Sequence, residues 1–222
     1  MKRNQTGTAL IIVGVLCLLS AAALWGYNTM QERTAGETVR EVLQEIAPPV
    51  NNPDKPQYED LQGGWVPEIQ LPNYVLNPQM DLPEKEYDGR YYVGVITIPA
   101  LNVELPVLKQ WSRSGAKVAP CRYEGTPYLD DLVICAHNYN SHFGRLNTLK
   151  TGDLVYFTDM DGNRFTYAVG NFEILQPDQV EQMCSGEWDL TLFTCTVGGR
   201  SRVTVRFNRV EAQIQPIGLN EN

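Results

Sequence analysis

Apolar and polar positions divide the chain into three stretches of different character. The first has no period at all. No charged residue lies between Arg3 and Glu32, and Thr8 to Tyr27 is almost wholly apolar. As a helix, that run spans a hydrocarbon core of roughly 30 Å. Lys2 and Arg3 precede it, and Trp25 and Tyr27 suit the far interface. The positive-inside rule then predicts a single transmembrane helix over 8–27, a cytoplasmic N-terminus over 1–7, and the rest of the chain outside the cell. A cleaved signal peptide is the alternative, with Leu10 to Leu19 as its apolar core and Ser20-Ala21-Ala22-Ala23 as its processing site. The apolar run continues past the alanines to Trp25, which favours a retained anchor. Cys17 follows the bulky Leu16 and reads as lipid-facing packing, not as a lipidation site.

The second stretch has a helical period. Val39, Val42, Leu43 and Ile46 fall at i, i+3, i+4 and i+7, which predicts a helix over Glu32 to Ile46 with one apolar stripe. That stripe suits either packing on a domain or a free stalk. Pro48-Pro49 ends the helix. Eight of the chain's fourteen prolines lie from Pro48 to Pro83, so residues 28–86 are expected to be this helix followed by an extended extracellular linker.

The third stretch, from about Tyr87, is strand-like. YYVGVITIP, VELPVL, DLVICAH, DLVYFTD, RFTYAVGNFEIL, LTLFTCT and SRVTVRFNRV are short and rich in β-branched and aromatic residues. MDGN at Met160 to Asn163 is a hairpin signal, and VGGRS is a further turn. No long helical period interrupts them. An all-β barrel or sandwich over about 87–216 is predicted, with residues 217–222 as a tail.

Composition narrows the function. The net charge of -8 and the absence of a basic stripe leave nothing to bind a phosphate backbone, so no nucleic-acid partner is expected. Five cysteines without a CxxC pair argue against a disulfide framework or a zinc ribbon. Chemistry that needs an imidazole has only His137 and His142 to draw on. His137 ends the buried run DLVICAH, where a scaffold fixes a side chain and loops admit substrate. Cys195 ends LTLFTC in the same way. If Gly198-Gly199 reverses the chain, the next strand runs back beside Cys195 and brings Arg202 or Arg200 to it. A guanidinium there favours the thiolate, which is the nucleophilic form. Arg202, Thr204 and Arg206 share one strand face. A buried structural histidine, a core cysteine and solvated edge arginines are the plainer readings of the same residues.

Together these residues resemble the sortases, cysteine transpeptidases that attach proteins to Gram-positive cell walls. TLFTC, Thr191 to Cys195, is similar to the family's T-L-x-T-C signature. His137 falls at the family's catalytic histidine, and Arg202, opening RVTVR, at its arginine, with Arg200 as runner-up. GVITIPALNVELPV, Gly94 to Val107, resembles the first two barrel strands. Ala136 stands where many members have glycine. The resemblance covers about Tyr87 to Glu211 and implies a closed eight-stranded barrel with short helices.

It also implies that Cys195 attacks the Thr–Gly amide of an LPxTG-like sorting signal to form a thioester. An amine from a cell-wall peptide precursor or a pilin lysine then resolves it. The implied partners are surface proteins with a C-terminal sorting signal, the amine-bearing acceptor and the cytoplasmic membrane. His137 is the expected general acid and base, Arg202 the oxyanion or carbonyl stabiliser, and Thr194 a substrate-binding candidate; Cys135 is expected to be packing. No cofactor is expected. Cys135, His137 and His142 lack a further zinc ligand at a usual spacing, and Asp130 and Asp131 are too few for calcium. Residues 81–89, DLPEKEYDG, lack an Asp-Pro-aromatic lid, and the 176–189 connection is short. The first feature disfavours a dedicated pilin polymerase, and the second a class B member, which often has a longer insert with a helix there; together they favour general anchoring. A hydrolase using the same thioester and a non-catalytic binding barrel are the competing functions.

Overall fold

The computed structural model describes residues 3–49 and 71–210. Nine strands follow one long helix: α1 (Arg3–Ile46), α2 (Asn73–Leu76), β1 (Lys85–Tyr87), β2 (Arg90–Ile98), β3 (Val103–Leu108), β4 (Cys121–Glu124), β5 (Leu132–Cys135), β6 (Leu154–Asp159), β7 (Arg164–Leu175), α3 (Val180–Met183), β8 (Leu190–Cys195) and β9 (Arg202–Arg209). Hydrogen bonding orders the strands β1-β2-β3-β4-β5-β8-β9-β7-β6, and β2 pairs again with β6. That second pairing closes β2 through β9 into an eight-stranded barrel and leaves β1 as a short flap on β2. Closure removes the free edges that an open sheet of this size would expose.

All seven strand-like runs in the sequence are strands. β1 and β4 were not expected from pattern. CRYE in β4 is short and polar, and its place is set by antiparallel pairing with β5 and one parallel bridge to β3, Leu108 opposite Cys121. Gly94 sits where β2 has partners on both sides, opposite Val107 and Asp159. A Cβ there would lie 2.5 Å from the Phe157 ring and from the Thr158 carbonyl oxygen, so the seam closes only over glycine. The MDGN hairpin is capped by buried Asp159, whose Oδ1 accepts the Asp161 and Asn163 backbone N–H groups and whose Oδ2 accepts the Tyr128 hydroxyl.

Two apolar clusters use opposite faces of the same strands. Ile96, Leu105, Ile134, Phe157, Leu192 and Val205 belong to the one that fills the barrel. Val133, Cys135 and Phe193 alternate with these and join Tyr92, Leu108 and Met183 in a second cluster on the outer face.

The helix differs from expectation. α1 is one unbroken helix, not a membrane segment and a separate helix, because Asn28 to Gln31 contain neither proline nor glycine to stop it. Its first half is long and apolar enough to cross a membrane and buries nothing against the protein. Its second half packs: Val39 joins the first cluster, and Val42 and Ile46 join the second. Much of the expected linker lies outside the described residues, as does the tail. Its final part is packed, with Leu82 buried and Tyr74 stacked on Tyr128 at 4.8 Å.

Arg206 is the largest fully buried side chain. All five of its N–H donors find acceptors: Glu173 takes two at 3.0 and 2.9 Å, and Met183 O, Thr191 Oγ1 and Gln182 O take the others at 2.8, 2.9 and 2.6 Å. The guanidinium thus ties the connection between β7 and β8 to the outer face. Replacing it with an apolar side chain leaves those acceptors unmatched. Arg206→Met is expected to lower the unfolding free energy by about 3–5 kcal/mol, whereas Arg202→Met on the same face costs under about 1 kcal/mol. Urea titration of the two variants checks the difference.

Candidate active site

The site follows from strand register. β5 and β8 run parallel, with Cys135 opposite Phe193. The pairing continues past the strand end, since the Ala136 N–H donates to Phe193 O at 3.2 Å and Thr194 Oγ1 donates to Ala136 O at 2.9 Å. Carried one residue further, that register would bring His137 opposite Cys195, but β5 has ended there and the His137 N–H donates instead to Ala116 O at 3.0 Å. On the other side β9 runs antiparallel, and Cys195 lies directly opposite Arg202. Cys195 and Arg202 therefore face each other on adjacent strands on the outer face of the barrel, and His137 continues that row two residues past the end of β5.

The turn after Cys195 makes that row possible. Gly198 and Gly199 both have positive φ, 85° and 71°, which only glycine adopts without strain. Thr196 and Ser201 close the turn, with the Thr196 N–H donating to Ser201 O at 2.9 Å. Arg202 is half-buried, and its Nη1 donates to the Gly199 and Ser201 carbonyls at 3.1 and 3.2 Å. Those bonds hold the guanidinium against the turn beside the thiol. Arg200 sits on the turn itself, exposed.

The thiols differ sharply. Cys195 is exposed, while Cys121 and Cys135 are buried. Burial pushes the Cys121 thiol up to about 11 and that of Cys135 further still. Burial and a hydrogen bond to Glu124 raise Cys184 to about 12. Cys135 is packing, as expected. Alternation turns the Thr194 side chain to the opposite face from Cys195; it is buried, and its hydroxyl donates to Ala136 O. It splices the histidine strand to the cysteine strand.

The two histidines also separate. His137 is half-buried at the strand end, and burial, reinforced by the nearby Lys117 ammonium, lowers its pKa below the usual imidazole value. His142 is fully buried, with neither ring nitrogen hydrogen-bonded, and burial followed by repulsion from His137 lowers it to about 4.

A groove of about 500 Å³ opens on the same outer face, lined by Lys109, Trp111, Arg122, Tyr123, Glu124 and Val180. Its aromatic floor leads to the row: Trp111 meets Tyr123 edge-on at 5.9 Å, and Tyr123 meets Phe193 at 5.4 Å. Among the described residues, no three His, Cys, Asp or Glu side chains are arranged to hold a metal ion. Asp130 pairs with Arg209, and Asp131 accepts the Thr126 N–H.

A closed barrel with a thiol, an imidazole and a guanidinium in one row at its open end is a scaffold suited to nucleophilic acyl chemistry. The Sortase domain model matches residues 96–210, just over half of the chain, and the chain belongs to the sortase family, whose members are cysteine transpeptidases. Sortase A of Bacillus anthracis is 31% identical over 128 residues, which cover 53% of this chain and 60% of that protein. The match thus spans less than two thirds of that relative. Among solved structures, a sortase C from Clostridium perfringens SM101 is 27% identical with a TM-score of 0.48, covering 65% of this chain and 78% of the other. A pilus-related sortase C of Group B Streptococcus is 24% identical with a TM-score of 0.48, covering 58% and 71%.

The buried His142 has a consequence for stability. Its folded pKa lies below its unfolded value, so the unfolded chain takes up the proton first as pH falls. The fold keeps its full stability above about pH 6.5 and loses it progressively towards pH 4, by roughly 3 kcal/mol from this one group. In His142→Leu that part of the acid slope should vanish, which melting curves between pH 7 and pH 4 will show.

Proposed function

We propose that this protein is a membrane-anchored transpeptidase that cleaves an LPxTG-like sorting signal and joins it to an amine. The observation that carries the reading is the single row of His137, Cys195 and Arg202 beside an aromatic groove. The groove suits an extended peptide, with apolar side chains over Trp111, Tyr123 and Phe193 and the scissile amide at the strand ends.

In the first step the Cys195 thiolate attacks the threonyl carbonyl carbon, and the carbonyl oxygen takes the negative charge. Arg202 meets that oxyanion, or holds the neighbouring carbonyls, with a planar fork of donors. The imidazolium of His137 gives its proton to the departing amine nitrogen, the C–N bond breaks and a thioester remains. In the second step neutral His137 takes a proton from the incoming amine as its nitrogen attacks the thioester, and the Cys195 thiolate leaves. The chemistry uses only the chain's own residues.

The low pKa of His137 favours the second step near neutrality. Once it has given its proton to the leaving amine, the imidazole stays neutral to lower pH than an ordinary histidine. Its base function is lost only as pH falls through that depressed value. The amine belongs to a cell-wall peptide precursor or a pilin lysine, and the substrate is a surface protein with a C-terminal sorting signal. Lys2 and Arg3 before the apolar run support a cytoplasmic N-terminus and a barrel outside.

Cys195→Ala should abolish turnover while leaving the melting temperature unchanged, and a trapped acyl adduct should map to Cys195 by mass spectrometry. An adduct on Cys121, Cys135 or Cys184 would sink the assignment. Arg202→Lys keeps the charge but loses the fork, and should reduce kcat/KM by about 100-fold or more. Near-normal rates for Arg202→Lys together with a dead Arg200→Ala would move the role to the turn.

Product partitioning separates transfer from hydrolysis. Water is near 55 M, about the ordinary concentration of the liquid, but a bound and oriented amine reaches effective molarities of 10⁵ M or more. Rising hydroxylamine, or a short peptide amine, should divert the acyl group from acid to hydroxamate or amide at fixed sorting peptide. If acid alone forms across a broad amine panel while Cys195 still acylates, the protein is a hydrolase.

A further inference from the structure

The loop after His137 rests on α1 just past its apolar run. Tyr139 Oη donates to Gln31 Oε1 at 3.1 Å, and the Asn140 N–H donates to Glu32 Oε1 at 2.9 Å. Ser141 lies against Gly36. Three successive loop residues thus meet one helix face. Beside this contact a cavity of about 310 Å³ separates helix from barrel, lined by Tyr27, Met30, Thr34, Ala35, Val118 and Tyr139 among others. The hold on the loop is therefore made by a few polar groups. The helix itself is anchored elsewhere, by Val39, Val42 and Ile46.

The Tyr139 ring carries the hold to His137. The two rings stack with centroids 4.0 Å apart and planes 24° from parallel. Tyr139 also meets His142 edge-on at 5.5 Å. His137 Nδ1 is buried and has no hydrogen-bond partner among the described residues. In a nucleophile–base pair the base is normally oriented by a third group bonded to its far nitrogen. No such bond fixes this imidazole, so its plane is set by what lies flat against it.

We propose that Tyr139 is the positioning residue for His137, and that Gln31 and Glu32 of α1 hold Tyr139 in place. The proposal rests on His137 being the acid and base of the reaction. The stack fixes the imidazole plane relative to the Cys195 row and shields one face from water. The titratable and charged groups around the ring are Lys117 on the connection between β3 and β4, Tyr139 and His142 on its own loop, Cys195 and Arg202 on β8 and β9, and Tyr27 and Glu32 on α1, within reach of Tyr139.

The test uses the full chain in detergent micelles with isotope-labelled histidine. Two histidines give two imidazole spin systems, assigned with His137→Ala. In the native protein the His137 ring protons should be shifted upfield by the Tyr139 ring current. Tyr139→Leu should remove that shift, raise the His137 pKa towards the ordinary value, and lower kcat about 10- to 100-fold with KM within about twofold. Tyr139→Phe keeps the ring and loses only the Gln31 bond, and should recover most of the rate and the shift. Gln31→Ala with Glu32→Ala should fall between, since the loop is released but the ring remains.

A folded Tyr139→Leu with native kcat and an unmoved His137 titration overturns the proposal. So does loss of activity in Tyr139→Leu with no change at the His137 resonances. A Gln31→Ala, Glu32→Ala protein with native spectra and rates overturns the part played by the helix. Full turnover in His137→Ala is a different failure: it removes the catalytic role of His137, while the ring-current shift still reports whether Tyr139 orients it.

Discussion

The register of β8 between β5 and β9 is the constraint on which the rest depends. A slip of one residue would turn Cys195 inward and Thr194 outward, because successive side chains alternate between faces. Several independent features hold the register. Leu190 and Leu192 are buried on the barrel side, and Phe193 on the outer side. Thr194 Oγ1 bonds across to Ala136. Thr191 Oγ1 receives a donor from buried Arg206, which is locked to Glu173 and to the connection that leads into β8. Local β-propensity, two-sided burial and a fully satisfied guanidinium all specify the same alignment, so the exposed thiol has one place to be.

That logic shows which parts of the fold were legible in the sequence. Strands with dense β-branched runs could be read directly, since their burial on one or both faces is written in their own residues. β4 could not, because CRYE has too few apolar positions and takes its conformation from its neighbours. The eighth strand came from family resemblance, not from periodicity. The hydropathy pattern changes at the end of the apolar run, yet the helix runs on unbroken from Arg3 to Ile46. Polar residues change what a helix faces without ending it.

At the site, strand ends identified Cys195 and His137, and the Gly-Gly turn identified an arginine beside the thiol. The Thr194 side chain points inward, as the alternation that exposes Cys195 requires. Arg206 was invisible for a different reason. A guanidinium on a strand face looks solvated until the 176–189 connection folds over it, and nothing in that connection's pattern says that it will. Tyr139 is a similar case: its bond to Gln31 spans 108 positions of sequence, and no local signal encodes it.

The helix contact also bears on how the barrel sits. Orientation comes from the non-covalent docking of Ala35, Val39, Val42 and Ile46, all buried. Gln31 and Glu32 lie four and five residues beyond Tyr27, where the apolar run ends. At 1.5 Å per residue that is about 6–8 Å along the axis. The loop that carries His137 therefore lies about one helical turn past the apolar run. For a helix that crosses a membrane, that loop sits close to the membrane surface. One helix would thus retain the protein at the membrane, set the height of the site and steady the loop beside its imidazole.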